Sequence, residues 1–269
     1  PPVPFEEAGP REQLYFEPDC VKAAVVTCGG LCPGLNDVVR SIVHELYYVY
    51  GVHDIKGVRY GYAGLNRISG WPMIDLSPAI VREIHDDGGT LLGTSRGPQP
   101  VDVMVDTLEH EGINILFTIG GDGTLRGACA IHDAIRKRGL PIAVVGVPKT
   151  IDNDINLVSK TFGFDTAVEE AVESIRCAHT EARALVNGIG IVKLMGRHAG
   201  FIAANATLAS ADANFVLVPE VPFDLEGPRG LLAALDARLK ARHHAVIVVA
   251  EGAGQNLFAE DQGLDASGN

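Results

Sequence analysis

The sequence predicts an α/β fold built on parallel strands, because short apolar runs alternate with helical patterns along most of the chain. The run Val246–Val249 has a β-branched residue at every position, which is typical of a strand that is buried on both faces. The 31 glycines are many for this length, and they suit the tight turns that join strands to helices.

The elements follow one another in a regular order after a Pro-rich, acidic arm over residues 1–20. The predicted strands are Val21–Thr27, Ile115–Ile119, Ile142–Val147, Gly190–Leu194, Phe215–Val218 and Ala245–Ala250. The predicted helices are Asp37–Tyr50, Leu125–Arg138, Thr166–Glu181 and Gly230–Arg242. A domain boundary is expected near residues 164–165. Because the chain starts at Pro1 and ends in a polar stretch, we expect a fragment at both ends.

Composition excludes several classes of function. The chain has 269 residues, 46% of them hydrophobic, which is enough for one large domain or two smaller ones. The formal net charge of −12 argues against general nucleic-acid binding, since the necessary surplus of Lys and Arg is missing. The five cysteines form no CxxC pair and fit a reducing compartment. No apolar stretch is long enough to cross a bilayer, so we expect no membrane contact and a cytoplasmic location, or a plastid one after removal of a transit peptide.

The segment Gly120-Gly121-Asp122-Gly123-Thr124 follows a predicted strand and is the most informative part of the sequence. In parallel sheets, ligands bind just outside the carboxyl ends of strands, and glycines let backbone amides approach a polyphosphate. Asp122 does not fit a packing role, because burying an unpaired carboxylate is costly. The segment therefore predicts a phosphate and metal site, with a capped turn as the alternative.

The segment Pro148–Asp154 follows the next predicted strand. Asp152 and Asp154 stand two residues apart, so in extended backbone they point to the same side. Two like charges repel there unless a cation or a substrate hydroxyl lies between them. Carboxylates hold magnesium and take a proton from an attacking hydroxyl, so the segment indicates phosphoryl transfer. A cluster of Asx-turns is the alternative.

Two further turns suggest phosphate contacts. Gly29–Gly34 follows the first strand and is either a phosphate site or an ordinary βα turn; it lacks the P-loop lysine and the GxGxxG fingerprint. Gly93–Gly97 matches the GxSxG nucleophile elbow, but residues 98–100, Pro-Gln-Pro, obstruct the helix that an elbow requires. Arg96 is therefore better interpreted as a phosphate contact.

Two more strand ends carry charged residues. Met195-Gly196-Arg197 follows one strand, and the Arg197 guanidinium could bind a phosphate or sugar oxygen. Glu251 follows the last strand, where its carboxylate could accept protons from sugar hydroxyls; a simple strand-end charge is the alternative.

These segments, in this order, resemble the 6-phosphofructokinases, most closely the plant-type, ATP-dependent branch, over most of residues 20–255. The resemblance implies two Rossmann-like parallel-sheet domains that face each other across a cleft. The nucleotide-binding domain would span residues 21–164, and the sugar-phosphate-binding domain would span residues 165–269 and lack its carboxyl-terminal portion. It also implies a homo-oligomer for the full-length protein.

The resemblance implies that Mg-ATP phosphorylates the 1-hydroxyl of fructose 6-phosphate to give fructose 1,6-bisphosphate, a committed step of glycolysis. Asp152 would be the general base, Asp122 and Asp154 would serve Mg²⁺, and Gly123 and Lys149 would bear on the phosphoryl donor. The residues implied in ATP binding are Gly29, Arg96, Gly97, Gly121, Asp122, Gly123 and Thr124. Those implied in sugar-phosphate binding are Thr150, Ile151, Asp152, Met195, Gly196, Arg197 and Glu251.

Three positions depart from the bacterial pattern. Lys149 stands where bacterial ATP enzymes usually have glycine and is shared with pyrophosphate-dependent relatives, so pyrophosphate is the alternative donor. Gly97 replaces an aromatic residue, so adenine stacking must differ. An arginine that reaches the neighbouring subunit in bacterial enzymes falls on Gly188. A non-catalytic or truncated regulatory form is the alternative from another class of function.

Overall fold

The structure, a computed structural model, describes residue 9 and residues 11–257. The predicted α/β class is confirmed, with eight strands in two sheets among these residues. The first sheet has the order β3-β2-β1-β4-β5 and is parallel except for β3. Its strands are β1 (Lys22–Thr27), β2 (Asp54–Val58), β3 (Ile74–Leu76), β4 (Ile115–Gly120) and β5 (Ala143–Pro148). The second, parallel sheet has the order β6-β8-β7, with β6 (Gly188–Leu194), β7 (Phe215–Leu217) and β8 (His244–Ala250).

Six α-helices lie between the strands of the described chain. They are α1 (Leu35–His44), α2 (Val101–Glu111), α3 (Asp122–Arg138), α4 (Phe164–Ala184), α5 (Phe201–Ser210) and α6 (Leu231–Arg242). Helix α1 continues into a turn of π-helix over Glu45–Val49. Helices α2 and α3 both end at a glycine in the left-handed conformation, Gly112 and Gly139, which closes the last turn without the steric cost of a Cβ atom.

All the predicted strands and helices are present, but several elements were missed. Strands β2 and β3 and helices α2 and α5 gave no clear signal, since β2 contains two charged residues and β3 is only three residues long. The first helix begins at Leu35, earlier than predicted, because Gly34 at φ 86° turns the chain directly into it. Asn36 is therefore a buried residue of the first turn of α1.

Hydrophobic side chains cover both faces of the first sheet, and this packing fixes where its carboxyl ends lie. Alternate residues of β1 point to opposite faces: Val25 packs with α1 residues, and Ala24 and Val26 pack with α2 and α3 residues. A third cluster joins β8 to α4 and α5 and includes Val246 and Ile175.

The described parts of the two chain ends contain little regular structure. Of the predicted arm, residues 11–17 form no regular element, and Pro18–Cys20 form a short 3₁₀ turn. Beyond Glu251 the described chain contains one 3₁₀ turn, Gln255–Leu257. The polar stretch with which the sequence ends lies outside the described residues. Within residues 11–257, every helix is too short or too polar to cross a bilayer.

Candidate active site

The Gly-Gly-Asp-Gly-Thr segment joins β4 to α3, as the sequence predicts. Gly121 is the N-cap of α3 and Asp122 is the first helical residue, so free backbone amides of the first helical turn lie next to the carboxylate. Gly120 is required because a Cβ atom there would collide with the Thr124 side chain. At Gly123 a Cβ atom would meet nothing within 4 Å.

Thr124 itself is buried, with 6% of its surface exposed. Its backbone carbonyl accepts a hydrogen bond of 2.8 Å from the buried hydroxyl of Tyr62. A direct ATP contact from Thr124 would therefore use the little surface that remains exposed, whereas its packing anchors the start of α3.

Asp152 is partly buried and lies near charged side chains from two other segments of the predicted site. Its Oδ1 atom is buried and has no hydrogen-bond partner in the described part of the chain. Burial raises the pKa of Asp152 above its ordinary value of 3.8, and the charges of Asp154 and Glu251 raise it further. The backbone amide and the guanidinium of Arg197 act in the opposite direction on this pKa. Three separate predicted segments therefore meet around one carboxylate.

The expected extended geometry of this segment is wrong. Asn153 adopts a left-handed conformation with φ 57°, so the chain turns between Asp152 and Asp154. Thr150 Oγ1 donates a hydrogen bond of 2.7 Å to Asp154 Oδ1, and Asn153 Oδ1 accepts one of 2.8 Å from the Thr161 amide. The two carboxylates still influence each other, but a hydrogen-bonded turn brings them together, as in the Asx-turn alternative.

The ends of β6 and β8 form the other side of the Asp152 environment. The Glu251 amide donates to the Leu194 carbonyl at 2.9 Å, and the Gly252 amide donates to the Gly196 carbonyl at 3.1 Å. Gly196 has φ 126°, and a Cβ atom on Gly252 would collide with the Arg197 carbonyl. These close contacts hold residues 195–197 beside Glu251.

Two residues predicted in the sugar site, Ile151 and Met195, differ in whether the side chain is accessible to a substrate. The Ile151 side chain packs against the cluster of α4, α5 and β8, so a substrate contact from Ile151 would come from its backbone. The Met195 side chain is 49% exposed and is available for contact. Gly188 begins β6, where a Cβ atom would collide with the Ala182 backbone, so the position leaves no room for a side chain.

The turn after β1 and the segment containing Arg96 are hydrogen-bonded to each other. The Gly29 amide donates to the Ser95 carbonyl at 3.1 Å, and Thr94 Oγ1 donates to the Gly29 carbonyl at 2.7 Å. A Cβ atom on Gly30 would lie 3.6 Å from Arg96 Nη2, which places the guanidinium beside the glycine turn. Gly97 has φ 93° and open space around it, so it offers no stacking surface of its own.

Lys149 is buried, with only 5% of its surface exposed. Its Nζ atom donates a hydrogen bond of 2.7 Å to the Gly30 carbonyl, and its backbone amide donates to the Gly120 carbonyl at 2.9 Å. Burial lowers the pKa of Lys149, and nearby Cys32 and Cys28 raise it. Lys149 therefore joins the ends of β1, β4 and β5.

Asn36, Tyr62 and Thr94 support the site segments through hydrogen bonds that the sequence did not predict. Asn36 accepts from the Leu91 amide at 2.8 Å and donates to the Asp87 carbonyl at 3.0 Å, which attaches the segment before Arg96 to α1. No local pattern marks such side chains, because their partners lie far away in the sequence.

The residues present fit a magnesium ion of the kind that accompanies a nucleotide. Among the described residues no three His, Cys, Asp or Glu side chains form a metal-binding group. Magnesium bound with a polyphosphate needs only one or two carboxylates, because phosphate oxygens and waters complete its shell. The unpartnered Asp152 Oδ1 shows that this carboxylate cluster can accept a further polar group.

Residues 22–265 match the model of the phosphofructokinase family. The chain is 54% identical to an ATP-dependent 6-phosphofructokinase of Borreliella burgdorferi, over 99% of this chain and 61% of that protein. It is also 54% identical to ATP-dependent 6-phosphofructokinase 7 of Arabidopsis thaliana, over 99% of this chain and 55% of that protein. The chain therefore spans little more than half of the length of these relatives.

A solved structure supports the fold independently. A pyrophosphate-dependent phosphofructokinase from Marinobacter aquaeolei superposes with a TM-score of 0.77 at 23% identity, over 87% of this chain and 61% of that one. At this identity the likeness concerns the fold alone. With a family model that covers nearly all of the chain, the comparisons show that this chain belongs to the phosphofructokinase family.

Proposed function

We propose that the whole protein transfers the γ-phosphoryl group of ATP to the 1-hydroxyl of fructose 6-phosphate. The observation that supports this most directly is the convergence of Asp154, Arg197 and Glu251 on Asp152, whose Oδ1 atom has no protein partner among the described residues. Such an atom is suited to accept a proton from a substrate hydroxyl. The names of the 54% identical relatives agree with this reaction.

In the proposed reaction, the sugar oxygen forms a bond to the γ-phosphorus as the bond from that phosphorus to the β–γ bridging oxygen breaks. The hydroxyl proton passes to Asp152, and ADP leaves with the bridging oxygen. Arg197 and Glu251 orient the sugar phosphate, while Arg96, the glycine turn and the first turn of α3 bind the donor phosphates. Asp122 and Asp154 would hold Mg²⁺, which neutralises charge on the phosphates when it is bound.

ATP is the proposed donor, and pyrophosphate remains the second candidate. Open space beside Gly123 leaves room for a nucleotide phosphate, and the relatives at 54% identity are named as ATP-dependent. Lys149 is the observation that favours pyrophosphate, but its ammonium group is buried against the Gly30 carbonyl.

The organisation of the whole protein is also a proposal. The two separate sheets support a nucleotide-binding domain up to residue 164 and a sugar-phosphate-binding domain after it. A homo-oligomer is proposed on family grounds, and the cytoplasmic location expected from the sequence stays a prediction.

The test is a coupled assay of ADP formation on the full-length protein, with magnesium and with or without fructose 6-phosphate. ADP formation that depends on the sugar phosphate is expected, and orthophosphate release from pyrophosphate should be negligible. Turnover with pyrophosphate and none with ATP would reverse the donor. Tight ATP binding without any sugar-dependent turnover would favour a non-catalytic role.

A further inference from the structure

Two successive carbonyl groups of the glycine turn are hydrogen-bonded to side chains from elsewhere in the chain. The Gly29 carbonyl accepts from Thr94 Oγ1 at 2.7 Å, and the Gly30 carbonyl accepts from Lys149 Nζ at 2.7 Å. The donors lie 65 and 119 residues away in the sequence, so these contacts exist only in the folded protein. Gly29 has φ 83°, a conformation that most side chains disfavour, and its own amide is bonded to Ser95.

The orientation of these carbonyls determines where the next amides point. In a trans peptide, the C=O and the following N–H lie in one plane and point in opposite directions. When Thr94 and Lys149 fix the carbonyls of Gly29 and Gly30, the amides of Gly30 and Leu31 are turned the other way. Within residues 11–257, neither of these two amides donates a hydrogen bond to a protein group. Successive free amides can form an anion-binding concavity, and Arg96 Nη2 lies beside this glycine turn.

We propose that Thr94 and Lys149 are positioning residues that orient the Gly30 and Leu31 amides toward the donor phosphates. The inference rests on the proposed function for the identity of the ligand, which is a polyphosphate. Neither side chain needs to touch the ligand. Their hydrogen bonds prevent the two peptide units from rotating and thereby aim both amides at the anion.

The inference also assigns a role to Lys149 other than donor selection. A buried ammonium group that donates to a backbone carbonyl has a structural partner already, so its presence does not by itself specify pyrophosphate. A lysine that acted as a direct phosphate ligand would instead contribute through its charge alone, independently of Thr94. The two accounts differ in whether the effects of Thr94 and Lys149 are coupled.

The experiment uses the full-length protein with the variants Thr94→Val, Thr94→Ser and Lys149→Met, and with the double variant that combines Thr94→Val and Lys149→Met. Calorimetric titration with Mg-ATP, without sugar phosphate, reports donor binding even if no turnover occurs. Steady-state assays add the KM for ATP, the KM for fructose 6-phosphate and kcat. Two control variants remove comparable hydrogen bonds far from the site: in Thr107→Val the lost bond goes to the Val103 carbonyl, and in Lys22→Met it goes to the Glu111 carbonyl.

Loss of a neutral hydrogen bond predicts that Thr94→Val weakens ATP binding about fivefold, while Thr94→Ser, which keeps the hydroxyl, stays within about twofold of the wild type. Loss of a charged donor predicts a weakening of about tenfold or more for Lys149→Met. The KM for the sugar phosphate should stay within about twofold, and the controls should leave ATP binding unchanged. The double variant should be weakened less than the product of the single effects, because both substitutions loosen the same pair of peptides.

Unchanged ATP binding in a folded Thr94→Val protein would overturn the proposal. Fully multiplicative effects in the double variant would also overturn it and would make Lys149 a direct phosphate ligand. If Thr94→Val does not fold, as judged by thermal melting, Thr94→Ala takes its place with the same expected result. A wild type that binds ATP, with the expected pattern among the variants, but lacks sugar-dependent turnover would leave this inference standing while the proposed function fails.

Discussion

Replacement of Asp152 by Asn tests the proposed chemistry most directly. The substitution keeps the shape of the side chain but removes its ability to accept a proton. Because Asp152 Oδ1 has no protein partner in the described chain, no structural hydrogen bond to that atom is lost. General base catalysis contributes about 10²–10⁴-fold in rate, so kcat of the full-length protein should fall by about that factor. Binding of Mg-ATP should change little, since the Gly-Gly-Asp-Gly-Thr segment proposed to bind the ATP phosphates follows a different strand, β4.

The same substitution should make the protein more stable at neutral pH in the absence of magnesium. Burial and the neighbouring carboxylates raise the pKa of Asp152 in the folded state, so the folded protein takes up its proton more readily than the unfolded chain. Stability therefore falls as pH rises from the ordinary value of 3.8 through the raised folded value, and the cost is complete above that value. An unpartnered buried acceptor costs about 1–3 kcal/mol. A 1 kcal/mol gain raises Tm by about 2–4 °C in a protein of this size.

The two measurements are a coupled assay of ADP formation and thermal melting at several pH values. The gain in Tm should be present at pH 7 and vanish toward pH 3.8, where the unfolded carboxylate is itself half protonated. A variant that keeps near wild-type kcat would refute the role of Asp152 as base. A drop in Tm at pH 7 would refute the claim that burial of the ionised Asp152 carboxylate destabilises the folded protein. The matched Asp165→Asn variant, at an exposed Asp paired with Lys160, should show neither effect.

Three further predictions concern other parts of the structure. Gly123→Asp should leave Tm unchanged, because a Cβ atom there meets nothing within 4 Å. It should abolish ATP turnover, since a carboxylate about 4 Å from a phosphate costs about 4 kcal/mol at an effective dielectric near 20. ATP turnover near the wild-type rate would contradict this prediction. Tyr62→Phe removes the hydrogen bond to the Thr124 carbonyl and should lower the free energy of unfolding in urea by about 1 kcal/mol, whereas no change would mean that this buried bond contributes nothing. Burial raises the pKa of Cys28 to about 12, and Cys32 is also buried with a raised pKa, so neither should react with iodoacetamide at pH 8 in the native protein. Among the cysteines of the described residues, mass spectrometry should instead find the label on the exposed ones, Cys20, Cys129 and Cys177.

The elements with strong local patterns could be predicted from the sequence. Strands β1, β4, β5, β6 and β8 are short, mostly apolar segments between helical patterns, which is typical of buried strands in a parallel sheet. The segments at their ends could be predicted as a site, because parallel strands present their carboxyl ends at one edge of a sheet. Elements without such a clear local pattern, such as β2 and α5, were missed.

The way in which the site segments meet depends on tertiary packing. The turn at Asn153 replaces the extended backbone that the spacing of Asp152 and Asp154 suggested. The approach of Arg197 and Glu251 to Asp152, and the bond from Lys149 to the Gly30 carbonyl, depend on packing between residues 45 to 119 positions apart. Local sequence cannot encode such contacts, because the energy of each hydrogen bond or charge pair depends on burial and distance that only the assembled fold sets.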